Sequence, residues 1–363
     1  MTFRPRLLLA TMVAAGALFA GSAGAQTGIA QIPIPGAPLT AFDVTYVDEA
    51  TQRLYLADRS NKAIDIIDAK TDKYIGRVGG YVGLRFKNGK PSNEISGPNG
   101  VIAFGDEAWT TDGDSTIKVI DLKAMKIVDT IKTGGEARAD EGDYDPKDGV
   151  IIYANGDDDT PFVTLISTKP GHKIIGKISY PEATDGIEAS FYNPADGMFY
   201  TSLPEIKGEA RNGAIVVIDP NSAKEVRRFD TRGCHQNGIA LGPNQNIFLG
   251  CTAHGKEGME AKFVIMNASG ATVAEIPGAG GADIVAYSKT NNQYYAATSN
   301  NPTGHALVVV DAGTNKTVPG GIIPILGGAP HSVAVNDVNG HVYLPVSAKE
   351  GGCGCVLVFG GPL

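Results

Sequence analysis

The sequence predicts an all-β fold, a seven-bladed β-propeller of four-stranded blades closed by an N-terminal strand, and three observations carry that reading. One short unit recurs seven times: a polar residue, a strand of small apolar residues, a turn, and a second strand ending near Tyr, Phe or Trp. Aligned, the units bring Asp43, Asn99, Asp140, Glu188, Asn237, Asp283 and His331 into register. Their spacings are 56, 41, 48, 49, 46 and 48 residues, the length that four strands and their turns require. Glycine is abundant, at 47 residues, and long helical periodicity is missing, as expected of a chain dense in turns.

Taken in order, the chain opens with Arg4 and Arg6, an apolar run from Leu7 to Ala20, and Ser22-Ala23-Gly24-Ala25 before Gln26. This is the pattern of a secretory signal peptide with an Ala-x-Ala cleavage site, too short for a spanning helix. Residues 1–25 are read as that signal and 26–363 as a single propeller domain, exported to a bacterial periplasm. No later apolar run is long enough to cross a bilayer. Blade two reads as Asn99-Gly-Val-Ile-Ala-Phe, Glu107-Ala-Trp-Thr, Ile117-Lys-Val-Ile-Asp121 and Lys126–Ile131. Blade four repeats the sentence from Glu188 to Phe229. Third strands end in Asp (Asp68, Asp121, Asp219, Asp311), whose side chain accepts local backbone bonds at a turn. After His331 only three strands remain, the last two at Gly340–Val346 and Cys355–Phe359. Ile29–Pro35 is expected to supply the fourth, which leaves no open sheet edge.

The formal charge is -8, and without residues 1–25 it becomes -10, with 29 basic against 39 acidic residues. An acidic surface argues against nucleic acid and anionic membranes and suits cations or neutral ligands. The cysteines are Cys234, Cys251, Cys353 and Cys355. Cys234 precedes the first strand of blade five and Cys251 ends its second, so one hairpin end holds both, and a disulfide is expected there. Cys353-Gly-Cys355 is open between a tight disulfide, a soft-metal site and two thiols. No haem-attachment motif, nucleotide loop, serine elbow or zincin helix occurs, so haem and nucleotide cofactors are not expected.

In an antiparallel blade the connections entering strand A share a face with those joining B to C. On that face the loops are long: Gly79–Pro98, Leu203–Asn212, Ala253–Met259, Asn300–Gly304 and Ala348–Gly352. Long loops on a rigid scaffold are where binding sits, so a small-molecule ligand or a partner protein is expected there, on a monomer. Gly79–Pro98 is either a lid over the mouth or a plain surface loop. Asp157-Asp158-Asp159 lacks the spacing of a calcium loop and reads as a solvated turn. Because each register residue begins an innermost strand, the seven meet around the channel mouth. Arg138 and His235, two residues before their register positions, point to the same place as candidate ligand-binding residues with Asp140.

Strings such as Ile64-Asp-Ile-Ile-Asp-Ala-Lys-Thr-Asp-Lys-Tyr-Ile-Gly-Arg-Val and Ile215-Val-Val-Ile-Asp-Pro-Asn-Ser-Ala-Lys-Glu-Val resemble the bacterial YncE/YVTN-type propellers across essentially the whole mature chain. That resemblance implies a binding or scaffold module more than an enzyme. Locally, Gly-Pro-Asn99-Gly-Val, Gln-Asn237-Gly-Ile-Ala, Gly-Ala-Asp283-Ile-Val, and Glu188 followed by Asn193-Pro-Ala-Asp-Gly resemble the gluconolactonase/senescence-marker propellers. Those enzymes have six blades and a different order around the ring, yet the likeness implies that Glu188, Asn237, Asp283 and Asn99 hold a divalent metal. Ca²⁺ is the first choice, since it takes six to eight oxygen ligands and four crowded carboxylates repel one another without a cation. A solvated polar channel is the alternative. If the protein is a metal-dependent hydrolase or lactonase, His331 or Asp43 is expected to move the proton.

Overall fold

The structure, a computed structural model, describes residues 26–360. The expected signal peptide lies outside the described residues. Seven four-stranded antiparallel sheets form the blades, each running from the axis outward in strand order A to D. The first strands are Thr45–Asp48, Val101–Phe104, Gly142–Asp145, Ser190–Asn193, His235–Leu241, Ala282–Ser288 and Ala334–Asn336. Each packs against its two neighbours, and blade seven meets blade one, so the ring closes. The closing strand is Thr27–Pro33, two residues earlier than the sequence pattern suggests, and it pairs antiparallel with Cys355–Gly360.

What holds the ring is apolar packing between sheets. Seven clusters of buried residues each straddle one blade interface, from Leu54 and Tyr343 between blades one and seven to Tyr55 and Val101 between one and two. The B and C strands, buried on both faces, carry continuous apolar runs such as Val150–Asn155 and Ala306–Asp311. Outer strands alternate instead, as in Lys126–Lys132. The C-strand aspartates work as the turn chemistry predicts: Asp68 accepts from the amides of Lys70 and Thr71, and Asp121 from those of Lys123 and Ala124.

Two features position the mouth. Asp43, Asp140 and Glu188 each donate their backbone amide to the equivalent B-strand carbonyl (Ala57, Ala154, Ser202), and Asn99 does so to Thr111. This fixes their side chains at one height. Glycines at positions 100 and 238 then let adjacent blades close up. A Cβ on Gly100 would sit 2.6 Å from the Asp140 carbonyl oxygen, and one on Gly238 would sit 2.3 Å from that of Asp283. The long excursion of blade one is a hairpin, Gly83–Lys87 with Lys90–Gly97. It is tied to the rim by two backbone bonds: the Leu84 amide donates to the Arg59 carbonyl, and the Arg138 amide donates to the Glu94 carbonyl.

Candidate functional site

The seven register residues do surround the channel mouth, but they fall into two groups. Asp43, Asn99 and Asp140, on blades one to three, are almost fully buried. Glu188, Asn237, Asp283 and His331, on blades four to seven, are half-buried and open to the channel.

Asp43 is the hub of the first group. Its Oδ2 accepts from Arg59 Nη2 and lies 3.3 Å from Arg138 Nη1, while Oδ1 lies 2.9 Å from His331 Nε2. Burial opposes the charge on Asp43, but Arg59, His331 and Arg138 outweigh it and hold the carboxyl well below the usual carboxylate range. Arg59 also donates to Asn99 Oδ1, from Nε at 3.0 Å and Nη2 at 2.6 Å, and to Asn93 Oδ1 of the rim hairpin at 3.1 Å. The other end of the Asn99 amide donates to the Ala139 carbonyl at 2.8 Å. Arg138 spans three carboxylates: Asp43, Asp140 at 2.6 Å and Asp157 at 2.7 Å. Even so, burial and the charge of Asp43 push Asp140 up to about 7 against the opposing pull of Arg138.

The second group has few donors. His331 Nε2 bridges to Asp283 Oδ2 at 2.9 Å, and Asn237 Nδ2 donates to Asp283 Oδ1 at 2.9 Å. Although burial favours the neutral ring, Asp283 and Asp43 raise His331 well above the ordinary histidine value and so favour its charged form. Asn237 Oδ1 and Asp140 Oδ1 are buried with no hydrogen-bond partner. Glu188 and Glu141 have their carboxyls raised well above the ordinary glutamate value, first by burial and then by Asp283 and Asp140; Arg138 opposes the shift at Glu188, while Glu188 and Asp43 add to it at Glu141. Five carboxyl groups (Asp43, Asp140, Glu141, Glu188, Asp283) thus face three cationic side chains (Arg59, Arg138, His331).

Below the mouth, Val44, Val101, Glu141, Ser190, Ile239 and Ile284 help enclose a channel cavity of about 120 Å³. Beside it, Arg59 and His331 line a pocket of about 220 Å³ with Phe42 and with Leu84, Pro91 and Asn93 of the hairpin. His235 has its Nε2 3.1 Å from Asp185 and its ring stacked on His254. Cys234 and Cys251 form a disulfide, and so do Cys353 and Cys355. Among the described residues no three His, Cys, Asp or Glu side chains converge as a preformed metal site, and no helix is long and apolar enough to cross a membrane.

Two residues of the channel mouth escaped the sequence reading. Arg59 follows the B strand of blade one. The equivalent residues of the other blades are Asp112, Gly156, Pro204, Ala253, Ser299 and Ser347, so a lone basic residue at that position was the available signal. Glu141 sits one residue beyond register residue Asp140 and enters the channel below it.

No protein-family model and no curated protein matches the sequence. A solved structure of hydrazine synthase from Kuenenia stuttgartiensis is similar to the chain, with a TM-score of 0.69 and 14% sequence identity over 89% of this chain and 96% of that one. The likeness shows the fold, a seven-bladed β-propeller.

Proposed function

We propose that this chain is an exported β-propeller of the YncE type, a binding module with a divalent cation, Ca²⁺ foremost, at its channel mouth. Glu188, Asp283 and the amide oxygen of Asn237 would hold the ion, with water completing its shell. The observation that carries this reading is the donor deficit on blades three to six. There Glu188 and Glu141 carry carboxyls without paired cations, and the Asn237 amide oxygen is buried without a donor. Hard cations take carboxylate and amide oxygens together with water, which suits such a set. Asn99 leaves the set because a guanidinium engages its oxygen, and Glu141 joins in its place. Since no preformed metal cluster is present, the ligands would close onto the ion as their mutual repulsion is relieved. The 220 Å³ pocket beside His331 is where a small ligand would meet the mouth.

A metal-dependent hydrolase or lactonase is the second reading, and it has one observation in its favour: His331 lines that pocket. The bound ion would polarise a carbonyl or lower the pKa of water. The proton carriers are less well suited. As an imidazolium His331 donates rather than accepts a proton, and Asp43 is held ionised between two guanidinium groups. Binding is therefore the stronger reading.

The test is thermal unfolding of the mature chain in EDTA, with Ca²⁺, Mg²⁺, Mn²⁺ and Zn²⁺ added back separately. An ion that binds only the folded state stabilises it by about 2.7 kcal/mol at a hundredfold excess over its dissociation constant. The expected result is a clear rise with Ca²⁺ that is lost in Glu188→Gln. No rise with any ion would overturn the cation. Turnover of lactones or esters that is lost in Glu188→Gln would move the protein to the second reading.

A further inference from the structure

We propose that the Cys353–Cys355 disulfide is a thiol–disulfide exchange site that oxidises a dithiol on a partner protein. The two disulfides of this chain are unlike each other. Cys234 and Cys251 are both buried and lie 17 residues apart. Cys353 and Cys355 are two residues apart, and only Cys355 is buried, while Cys353 is exposed. Constraint of the unfolded chain grows with the loop that a disulfide closes, so this short link contributes little to stability by that route. Its loop is nevertheless held in one shape. Gly354 adopts a left-handed φ of +59°, and a Cβ there would meet the Ala348 side chain at 2.8 Å. The result is one sulfur offered to solvent and one kept inside.

The surroundings state what kind of partner fits. Cys353 lines a groove of about 160 Å³ with Ile323, Ile325, Leu326, Val346 and Leu357. Leu326 is 83% exposed, more than any other large apolar side chain among the described residues. A reactive sulfur beside an apolar groove suits an extended segment that carries a cysteine pair next to an apolar side chain. Export to an oxidising compartment would keep the resting site as a disulfide.

The exchange balances without a further reagent. A thiolate of the partner attacks Cys353 Sγ, the Cys353–Cys355 bond breaks, and Cys355 Sγ leaves as a thiolate that takes up a proton. The partner's second thiolate then attacks the partner sulfur of the mixed disulfide and releases Cys353. Two electrons and two protons have moved from the partner dithiol to Cys353 and Cys355, and the partner holds a new disulfide.

The test mixes the oxidised mature protein with a reduced synthetic peptide that carries two cysteines two residues apart and a leucine beside the first. Peptide disulfide is followed by mass spectrometry, and protein thiols are mapped by alkylation in denaturant after an acid quench. The expected result is one peptide disulfide per protein, with thiols appearing at Cys353 and Cys355 alone. Oxidation should slow about tenfold with Leu326→Asp, or with serine in place of the peptide leucine, as removal of one apolar contact predicts. A Cys353→Ser, Cys355→Ser double variant that keeps its circular dichroism should oxidise no peptide. Absence of peptide oxidation, or thiols appearing equally at Cys234 and Cys251, would overturn the site. Rates indifferent to both leucine changes would overturn the role of the groove.

Discussion

The two sides of the channel mouth are built from the same register positions and handle charge in opposite ways. On blades one to three, Asp43 is saturated by two guanidinium groups and an imidazolium, and Asn99 is fully engaged. On blades four to six, the Asn237 amide oxygen is buried without a donor, and Glu188 has its carboxyl raised despite the pull of Arg138. Buried charge is tolerated only where it is paired and hydrogen-bonded. At Asp43 and Asn99 the first side meets that condition with its own side chains. The second leaves it unmet at Asn237, and this is the side on which the proposed cation would act.

The sharpest way to break this contrast is Asp43→Ala. It leaves Arg59, Arg138 and His331 facing one another, and removing one partner of such a buried network costs about 3–5 kcal/mol. Denaturant unfolding should show that loss; a cost below about 1 kcal/mol would mean this side is not held by its ion pairs. Next in size is the ion response. Saturating Ca²⁺ should stabilise the wild type by roughly 2–3 kcal/mol. In EDTA at pH 8, Glu188→Gln should be as stable as the wild type or more so, since it removes a like charge. A large loss would show that Glu188 has an internal partner.

The pH profile sharpens the comparison further, because each side holds groups that titrate with opposite sign. Glu188, Glu141 and Asp140 have raised values in the folded protein, about 7 for Asp140. The stability they contribute is present below the unfolded carboxylate range, near pH 4, and is lost as pH rises through their folded values. His331, also raised, loses its contribution in the same direction, above its ordinary value of about 6.5. Asp43 and Asp283, both lowered, contribute above the unfolded range and lose that contribution as pH falls through their folded values. Melting from pH 4 to 9 in EDTA should therefore decline toward alkaline pH, and Ca²⁺ should restore more at pH 8 than at pH 5. An equal shift at both would detach the ion from these carboxyls. The smallest effect is expected of Asp157→Asn. That side chain is about a third exposed, and Arg138 keeps two other carboxylates, so the cost should stay below about 1 kcal/mol by the same unfolding measurement.

The propeller was legible because the repeat imposes one register on seven units, and a polar residue ahead of each inner strand marks it. The closing strand was legible for a related reason: blade seven lacked a strand and the N-terminus offered one. The composition of the mouth was only half legible. Register identifies residues entering strand A, whereas Arg59 arrives from the end of strand B and reaches across to Asn99 on the next blade. A long side chain acts at a distance from its own position, and a period cannot report where its head group lands. That is why crowded carboxylates called for a metal on every side of the ring, when on one side two arginines do the neutralising. Arg138 and His235 hold the same sequence offset but find different partners, Asp43 and Asp140 for the one and Asp185 for the other.

The strand that closes blade seven pairs residues separated by 333 positions, Thr27 against Gly360. In a chain made from its N-terminus, Thr27–Pro33 has no partner until Cys355–Gly360 has followed. The ring therefore cannot lock before that last blade strand is made. A fold whose final seam joins strands so far apart in sequence is, by its own topology, a timer for the completion of its blades.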